Sequence, residues 1–308
     1  MPRSKRFVAF AAVFFQGYAF YALLTRSLIW PWIWPREQVL YICVWLFYML
    51  GYCVLNVTLT SEFVRKTQLE SDVIAARQIQ QTLQPTTYPK FAGYEIETFY
   101  KPFREVGGDY FDVIELPENR ILFAVADVSG KGMPAALLAA NIQALVRSIA
   151  NLTYDPFAFA LQINKHLSRY TPRDRFATAL FIVLSRDSGE LTYLNAGHNP
   201  PIVSSLCSTQ FLDATGIPLG LFADAEYKTE TAALARGGAL LLFTDGLTDS
   251  IAGDRPEECL RDVMADSSRA TMSNIRSLVN PRFNEDDVTV LLIKRTADSA
   301  CDESNRSQ

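Results

Sequence analysis

Four aspartates stand at the ends of apolar, strand-like runs, and any fold of this chain must bring those ends to a place where buried carboxylates are tolerated. Asp109 lies in VGGDYFD (106–112). Asp127 closes ILFAVAD and opens DVSGKGMPAAL (127–137). Asp245 closes ALLLFTDG (239–246), and Asp286 lies in NEDDVTVLL (284–292). A carboxylate at the end of a buried strand is costly unless something positive meets it. The chain has two histidines and no Cys-x-x-Cys, so the pattern points to oxygen ligation of a hard divalent cation, Mg²⁺ or Mn²⁺. Each motif alone has a plainer reading. Gly107-Gly108-Asp109 and Asp245-Gly246 are turn signals, and Asp286-Asp287 can be a solvated strand start. Their joint occurrence beside apolar strands carries the weight.

Between Tyr94 and about Arg295 the pattern is one of short β-branched and aromatic runs: EIETFYKP, YFDVIEL, RILFAVAD, TALFIVLS, LTYLNA, GALLLFTD and DVTVLLIK. These read as strands. Two helical stretches, Pro134–Ala150 and Pro156–Arg169, fall together between the third and fourth strands. Strands grouped around a helical pair predict an α+β sandwich instead of regular βαβ alternation.

The 308 residues carry 49% hydrophobic content, and the apolar excess concentrates in the first 60 or so residues. Phe7–Thr25 and Val39–Thr60 are uncharged runs, each long enough for a hydrocarbon core that takes about 20 helical residues. The first is too long, and too poor in small-residue cleavage signals, for a signal peptide. Neither shows the polar face of a core helix. Arg3, Lys5 and Arg6 precede the first run, and Arg65 and Lys66 follow the second. This flanking charge places both termini in the cytoplasm. The connecting LIWPWIWP (28–35) suits the headgroup region through its tryptophans. It is an interfacial anchor or a small sensory element. The net charge of −4 gives a nucleic-acid partner no global support. The five cysteines lack paired spacing and read as free thiols.

Residues 61–84, SEFVRKTQLESDVIAARQIQQTLQ, hold neither glycine nor proline before Pro85. Their apolar positions recur mostly at helical spacing, which predicts an amphipathic helix leaving the second span. It is short for a coiled coil and has charges or glutamine at several core positions. Docking on a neighbouring domain, pairing in a homodimer and a passive spacer all remain open. The expected organisation is a two-span hairpin (1–60), a linker helix (61–84), a catalytic domain (85–295) and a disordered polar tail (296–308).

Two hard cations about 3.5–4 Å apart can generate a nucleophile from water and clamp a displacement at phosphorus. Asp127 is the candidate bridge, because Gly130 and Gly132 after it permit close backbone approach and the Val128 carbonyl can complete coordination. The helix opening at Pro134 favours negative charge near its start. Lys101, Arg104 and Lys131 are candidates for meeting a substrate phosphate, with simple solvated charge as the competing reading. His198, in NAGHNPP (195–201), reads as a structural histidine before a general acid. His166 reads as a boundary residue.

The phrases ARQIQQTLQP, KPFREVGGDYFD, VADVSGKGMPAAL, LTYLNAGHNPPIV, GIPLGLF, LLLFTDGLTDS and EDDVTVLLIK together resemble the SpoIIE/RsbU branch of the PPM metal-dependent serine/threonine phosphatases, over about residues 75–295. The resemblance implies an α-β-β-α sandwich of two antiparallel sheets flanked by helices. It implies two Mn²⁺ or Mg²⁺ ions held by Asp109, Asp127 with the Val128 carbonyl, Asp245 and Asp286, with Asp127 and Asp245 catalytic. It also implies a bacterial signalling enzyme acting on phosphoserine or phosphothreonine of a regulatory protein such as an anti-sigma-factor antagonist. With the hairpin, that places the chain in the inner membrane with its catalytic domain cytoplasmic. Ser129 stands where related eukaryotic-type enzymes often carry histidine, so an imidazole general acid is absent there, and Asp249 replaces a frequent glutamate. One rival is a membrane-tethered binding module that keeps the fold without turnover. Another is a two-metal nuclease, which the acidic charge does not favour.

Overall fold

The computed structural model describes residues 35–83, 88–172, 174–205, 208–253, 255–266, 269–280 and 286–296. The expected first span Phe7–Thr25, the tryptophan-rich residues 28–34 and the polar tail from 297 onward lie outside them. Helix α1 (Pro35–Leu83) is continuous over 49 residues. It contains the second apolar run and nearly all of the expected linker helix. In its described part Leu46, Phe47, Leu50, Val54 and Leu55 are exposed. The chain divides into two compact units, Met1–Glu70 and Ser71–Gln308, so the last turns of α1 belong with the second unit.

The second unit is built from two five-stranded sheets. The first contains β1 (Tyr94–Lys101), β6 (Ile202–Ser204), β7 (Thr209–Phe211), β9 (Ala239–Phe243) and β10 (Val288–Arg295), in the order β1-β10-β9-β6-β7. The second contains β2 (Tyr110–Leu116), β3 (Arg120–Val128), β4 (Ala177–Ser185), β5 (Glu190–Ala196) and β8 (Glu230–Ala233), in the order β2-β3-β4-β5-β8. All strand pairings within the sheets are antiparallel. Helices α2 (Met133–Ala150) and α3 (Pro156–Tyr170) cover the second sheet. The short helices α4 (Asp245–Asp249), α5 (Pro256–Ala265) and α6 (Met272–Leu278) cover the first.

Strand alternation explains the layers. Ile121, Phe123 and Val125 of β3 pack toward the other sheet with Leu240, Leu242, Leu291 and Ile293. Leu122, Ala124 and Ala126 face the helices, where Ile142, Val146, Phe159 and Ile163 meet them. On the far side Leu241, Phe243, Val290 and Leu292 pack against Leu260, Met264 and Ile275. Central strands buried on both faces read as unbroken apolar runs, as ILFAVAD and ALLLF do. The same burial accounts for the apolarity of α2. That helix is long and apolar enough to cross a membrane, yet Ile142 and Val146 are wholly inside the domain. Each of α2 and α3 opens with proline in its first turn, and Asp155 caps α3 by accepting from the Phe157 amide.

This is the expected sandwich of two antiparallel sheets flanked by helices. The predicted helices Pro134–Ala150 and Pro156–Arg169 each lie within one residue of those observed at either end. The pieces not predicted are β6, β7 and β8, each only three or four residues long, and α4 to α6.

Candidate active site

Strand register gathers the four aspartates. Tyr110 pairs with Ala126 at the edge where β2 begins and β3 ends, and Asp127 pairs with Thr178 of β4. In the other sheet Val290 pairs with Phe243, where β10 begins and β9 ends, and Lys101 at the end of β1 pairs with Val288. Antiparallel order thus puts the start of β2, the end of β3, the end of β9 and the start of β10 at one end of the sandwich. Asp109, Asp127, Asp245 and Asp286 occupy those four places.

The carboxylates act on one another. Burial, followed by the charges of Asp245, Asp286 and Asp287, pushes Asp127 up to about 7. Burial, followed by Asp127 and Asp287, pushes Asp109 well above the usual carboxylate range. Asp245 is raised by burial and then by Asp286 and Asp249. An all-oxygen cluster of like charges whose ionised forms disfavour one another is the environment a hard divalent cation relieves. The residues therefore fit the two ions, with the Val128 carbonyl at the same strand end as Asp127. Among the described residues no three acidic, histidine or cysteine side chains close together tightly enough to form a metal-holding group by themselves. The cluster is linked mainly by charge, and Asp109 and Asp287 are each held by further hydrogen-bond donors.

Those donors are features the sequence reading missed. Asp109 is buried, and its Oδ2 accepts from Thr244 Oγ1 at 2.8 Å and from Thr289 Oγ1 at 2.5 Å. The neighbour of Asp286, Asp287, is more buried than a solvated strand start allows. Its Oδ1 accepts from the Phe103 amide at 2.7 Å and its Oδ2 from the Gly108 amide at 2.6 Å. Asp287 therefore ties the Gly-Gly-Asp loop to β10. A Cβ at Gly107 would lie 2.6 Å from Asp287 Oδ2, closer than real Cβ contacts come, so glycine is required there. The Thr-Asp-Gly and Asp-Asp-Val-Thr motifs held the signal for Thr244, Asp287 and Thr289.

From the other side, Gln80 of α1 holds the same loop with both ends of its amide. Its Nε2 donates to the Gly107 carbonyl at 2.7 Å and its Oε1 accepts from the Gly107 amide at 3.1 Å. Gln143 of α2 donates to the Leu83 carbonyl at 2.6 Å. Gln80, Leu83, Ala139 and Gln143 line a small cleft that reaches Asp109.

The candidate phosphate-binding residues separate. Lys131 lies within the acidic cluster, its Nζ 2.8 Å from Asp286 Oδ2. Arg104 is exposed, with its guanidinium beside Gly132 at the start of α2. Lys101 is half-buried at the end of β1. Ser129 serves its own loop: its Oγ accepts from the Phe176 amide at 3.0 Å and its carbonyl accepts from Arg175 Nη1 at 2.9 Å. His198 is buried and shares a 2.8 Å hydrogen bond between Nδ1 and Thr178 Oγ1. Burial, opposed by the Phe243 carbonyl, lowers it to about 4, so it is neutral at physiological pH. His166 is half-buried on α3 with its ring against Tyr170.

Comparison with known proteins agrees with this fold. The pattern of the family described as Stage II sporulation protein E (SpoIIE) matches residues 117–296, more than half of the chain. The chain is 28% identical over 239 residues to the phosphoserine phosphatase RsbU of Bacillus subtilis, covering 74% of this chain and 71% of that protein. It is 25% identical to the phosphoserine phosphatase RsbP of the same organism, and spans 52% of its length. Among solved structures, the RsbU and RsbW domains of a Mycobacterium tuberculosis protein align with a TM-score of 0.58 at 25% identity, over 67% of this chain and 62% of that one. The SiaA-PP2C domain of Pseudomonas aeruginosa aligns with a TM-score of 0.61 at 22% identity, over 74% and 98%, and attests the fold.

Proposed function

The chain belongs to the SpoIIE family, and from that premise we propose that it is a metal-dependent protein serine/threonine phosphatase of bacterial signalling. The observation that carries the reading is the convergence of Asp109, Asp127, Asp245 and Asp286 at one end of the two sheets, where burial and mutual charge raise Asp109, Asp127 and Asp245. Two Mn²⁺ or Mg²⁺ ions, when bound, would lower the pKa of water and neutralise phosphoryl charge.

The chain's own residues do the rest. Asp109, Asp127 with the Val128 carbonyl, Asp245 and Asp286 would hold the ions. Thr244 and Thr289 fix the Asp109 carboxylate through its Oδ2. Asp287 fixes the loop that carries Asp109. Arg104, exposed beside Gly132 of the VSGKG loop, offers a planar fork that suits a phosphoryl group. Neither histidine is placed as a general acid: His198 is enclosed and His166 lies on α3.

The substrate we infer is a phosphoserine or phosphothreonine on a cytoplasmic regulatory protein, such as an anti-sigma-factor antagonist; the relatives named phosphoserine phosphatase RsbU and RsbP support the phosphoserine part of this reading. Anchoring in the bacterial inner membrane is part of the same reading. It rests on the two uncharged runs and on the Arg/Lys residues outside them. Hydrolysis of a phosphoserine peptide by the full chain should depend on Mn²⁺ or Mg²⁺ and disappear in Asp127→Asn. Equal rates with excess chelator would refute the assignment.

A further inference from the structure

Lys131 sits between Gly130 and Gly132, both at positive φ (92° and 79°), on the loop that leaves the Asp127 strand. Its Nζ is 2.8 Å from Asp286 Oδ2 and 5.3 Å from the centre of the Phe103 ring. The other oxygen of that carboxylate, Asp286 Oδ1, accepts from the Asp287 amide at 2.8 Å. The hydrogen bond to Asp286 raises the lysine, with Asp245 and Asp287 adding to the effect. In return the ammonium charge opposes the upward shifts of Asp127 and Asp245. Lys131 therefore neutralises part of the cluster that a divalent ion would neutralise, through a carboxylate that would hold the ion.

We propose that Lys131 is an internal counter-cation that competes with a divalent metal ion for the Asp286 carboxylate, so that it sets the metal concentration at which the site loads. An ammonium and a divalent ion on the same carboxylate repel each other at short range, so the lysine must give up its contact with Asp286 as the site loads. The pair is partly exposed, with the two side chains 40% and 32% accessible, and the lysine has open solvent to move into. Flanking glycines leave the loop free to follow. The inference rests on the two-metal reading, and deepens it by naming a residue that regulates loading.

The test is Mn²⁺ binding to the full chain, followed by electron paramagnetic resonance of the free ion, with thermal melting in chelator alongside. Lys131→Met should bind Mn²⁺ more tightly, by about fivefold, the size expected when a partly exposed ion pair worth about 1 kcal/mol no longer has to be broken on loading. It should also melt at a lower temperature in chelator, because the carboxylates lose their cation. Lys131→Arg should stay within about twofold of the wild type, since the charge remains. Arg104→Met, which removes a nearby charge not paired with Asp286, should also stay within about twofold. Unchanged or weaker Mn²⁺ binding by Lys131→Met overturns the proposal, as does equal tightening by Arg104→Met, and either leaves the two-metal reading standing. A wild-type chain that binds no Mn²⁺ overturns both.

Discussion

Replacing Gln80 with alanine removes the only described side chain that grips both polar groups of the Gly107 backbone, and this should loosen the Asp109 loop without unfolding the domain. Two hydrogen bonds are lost, one to the Gly107 carbonyl and one from its amide. At about 1 kcal/mol net for each, the loop's bound position would lose about 2 kcal/mol, roughly a twenty- to thirtyfold change in equilibrium. Gln80 is half-buried, so water can replace part of the loss, and a three- to thirtyfold rise in the apparent Mn²⁺ dissociation constant is expected. The loop keeps its Asp287 anchor to the Gly108 amide, so thermal stability should change little. Gln80→Glu should be at least as damaging. It gives up the donor to Gly107 and adds a charge to a region already crowded with carboxylates. Mn²⁺-dependent hydrolysis of a phosphoserine peptide, titrated over metal concentration, reads the effect directly. If both variants load Mn²⁺ within twofold of the wild type, the end of α1 does not support the metal site, and the passive-spacer reading of this helix is preferred.

Asp127→Asn, Asp245→Asn and Asp286→Asn should each lower turnover by orders of magnitude in a phosphatase assay while keeping the folded circular-dichroism spectrum. For Asp127→Asn, melting in chelator near pH 8 should rise, because burial and neighbouring carboxylates make the ionised Asp127 unfavourable in the folded state. His198 predicts acid sensitivity. Its folded value, about 4, lies below the ordinary 6.5, so the stability it contributes is present above about pH 6.5 and is lost as pH falls toward 4. The loss is on the order of 3 kcal/mol; denaturant unfolding of His198→Gln should show a flatter profile over that window. A reporter fused after Gln308 should behave as cytoplasmic and one inserted near Trp32 as periplasmic; a periplasmic C-terminal reporter would contradict the proposed topology.

What the sequence made legible, and what it did not, divides along a physical line. Strands buried on both faces announce themselves, because each residue contributes to a core: ILFAVAD and DVTVLLIK were readable as strands and their terminal aspartates as a set. β6, β7 and β8 are three or four residues long, too short for a period to emerge. The carboxylates could be picked out one by one because an ionised group beside an apolar run is anomalous. Their supports could not. Thr244 and Thr289 look like ordinary strand residues, and only the β9–β10 register brings both hydroxyls onto one oxygen of Asp109. Asp287 is the sharpest case, since two adjacent aspartates carry the same letter and opposite duties. Asp286, facing partly outward, pairs with a mobile-stemmed lysine, whereas Asp287, facing in, takes two backbone amides from a loop distant in sequence. Asp286 lies in a bend and Asp287 immediately before β10, so the turn of the chain into the strand leaves one carboxylate partly open and commits the other to the fold. That choice is a property of the assembled sheets, and it explains why a motif can name the site while leaving its supporting contacts unread.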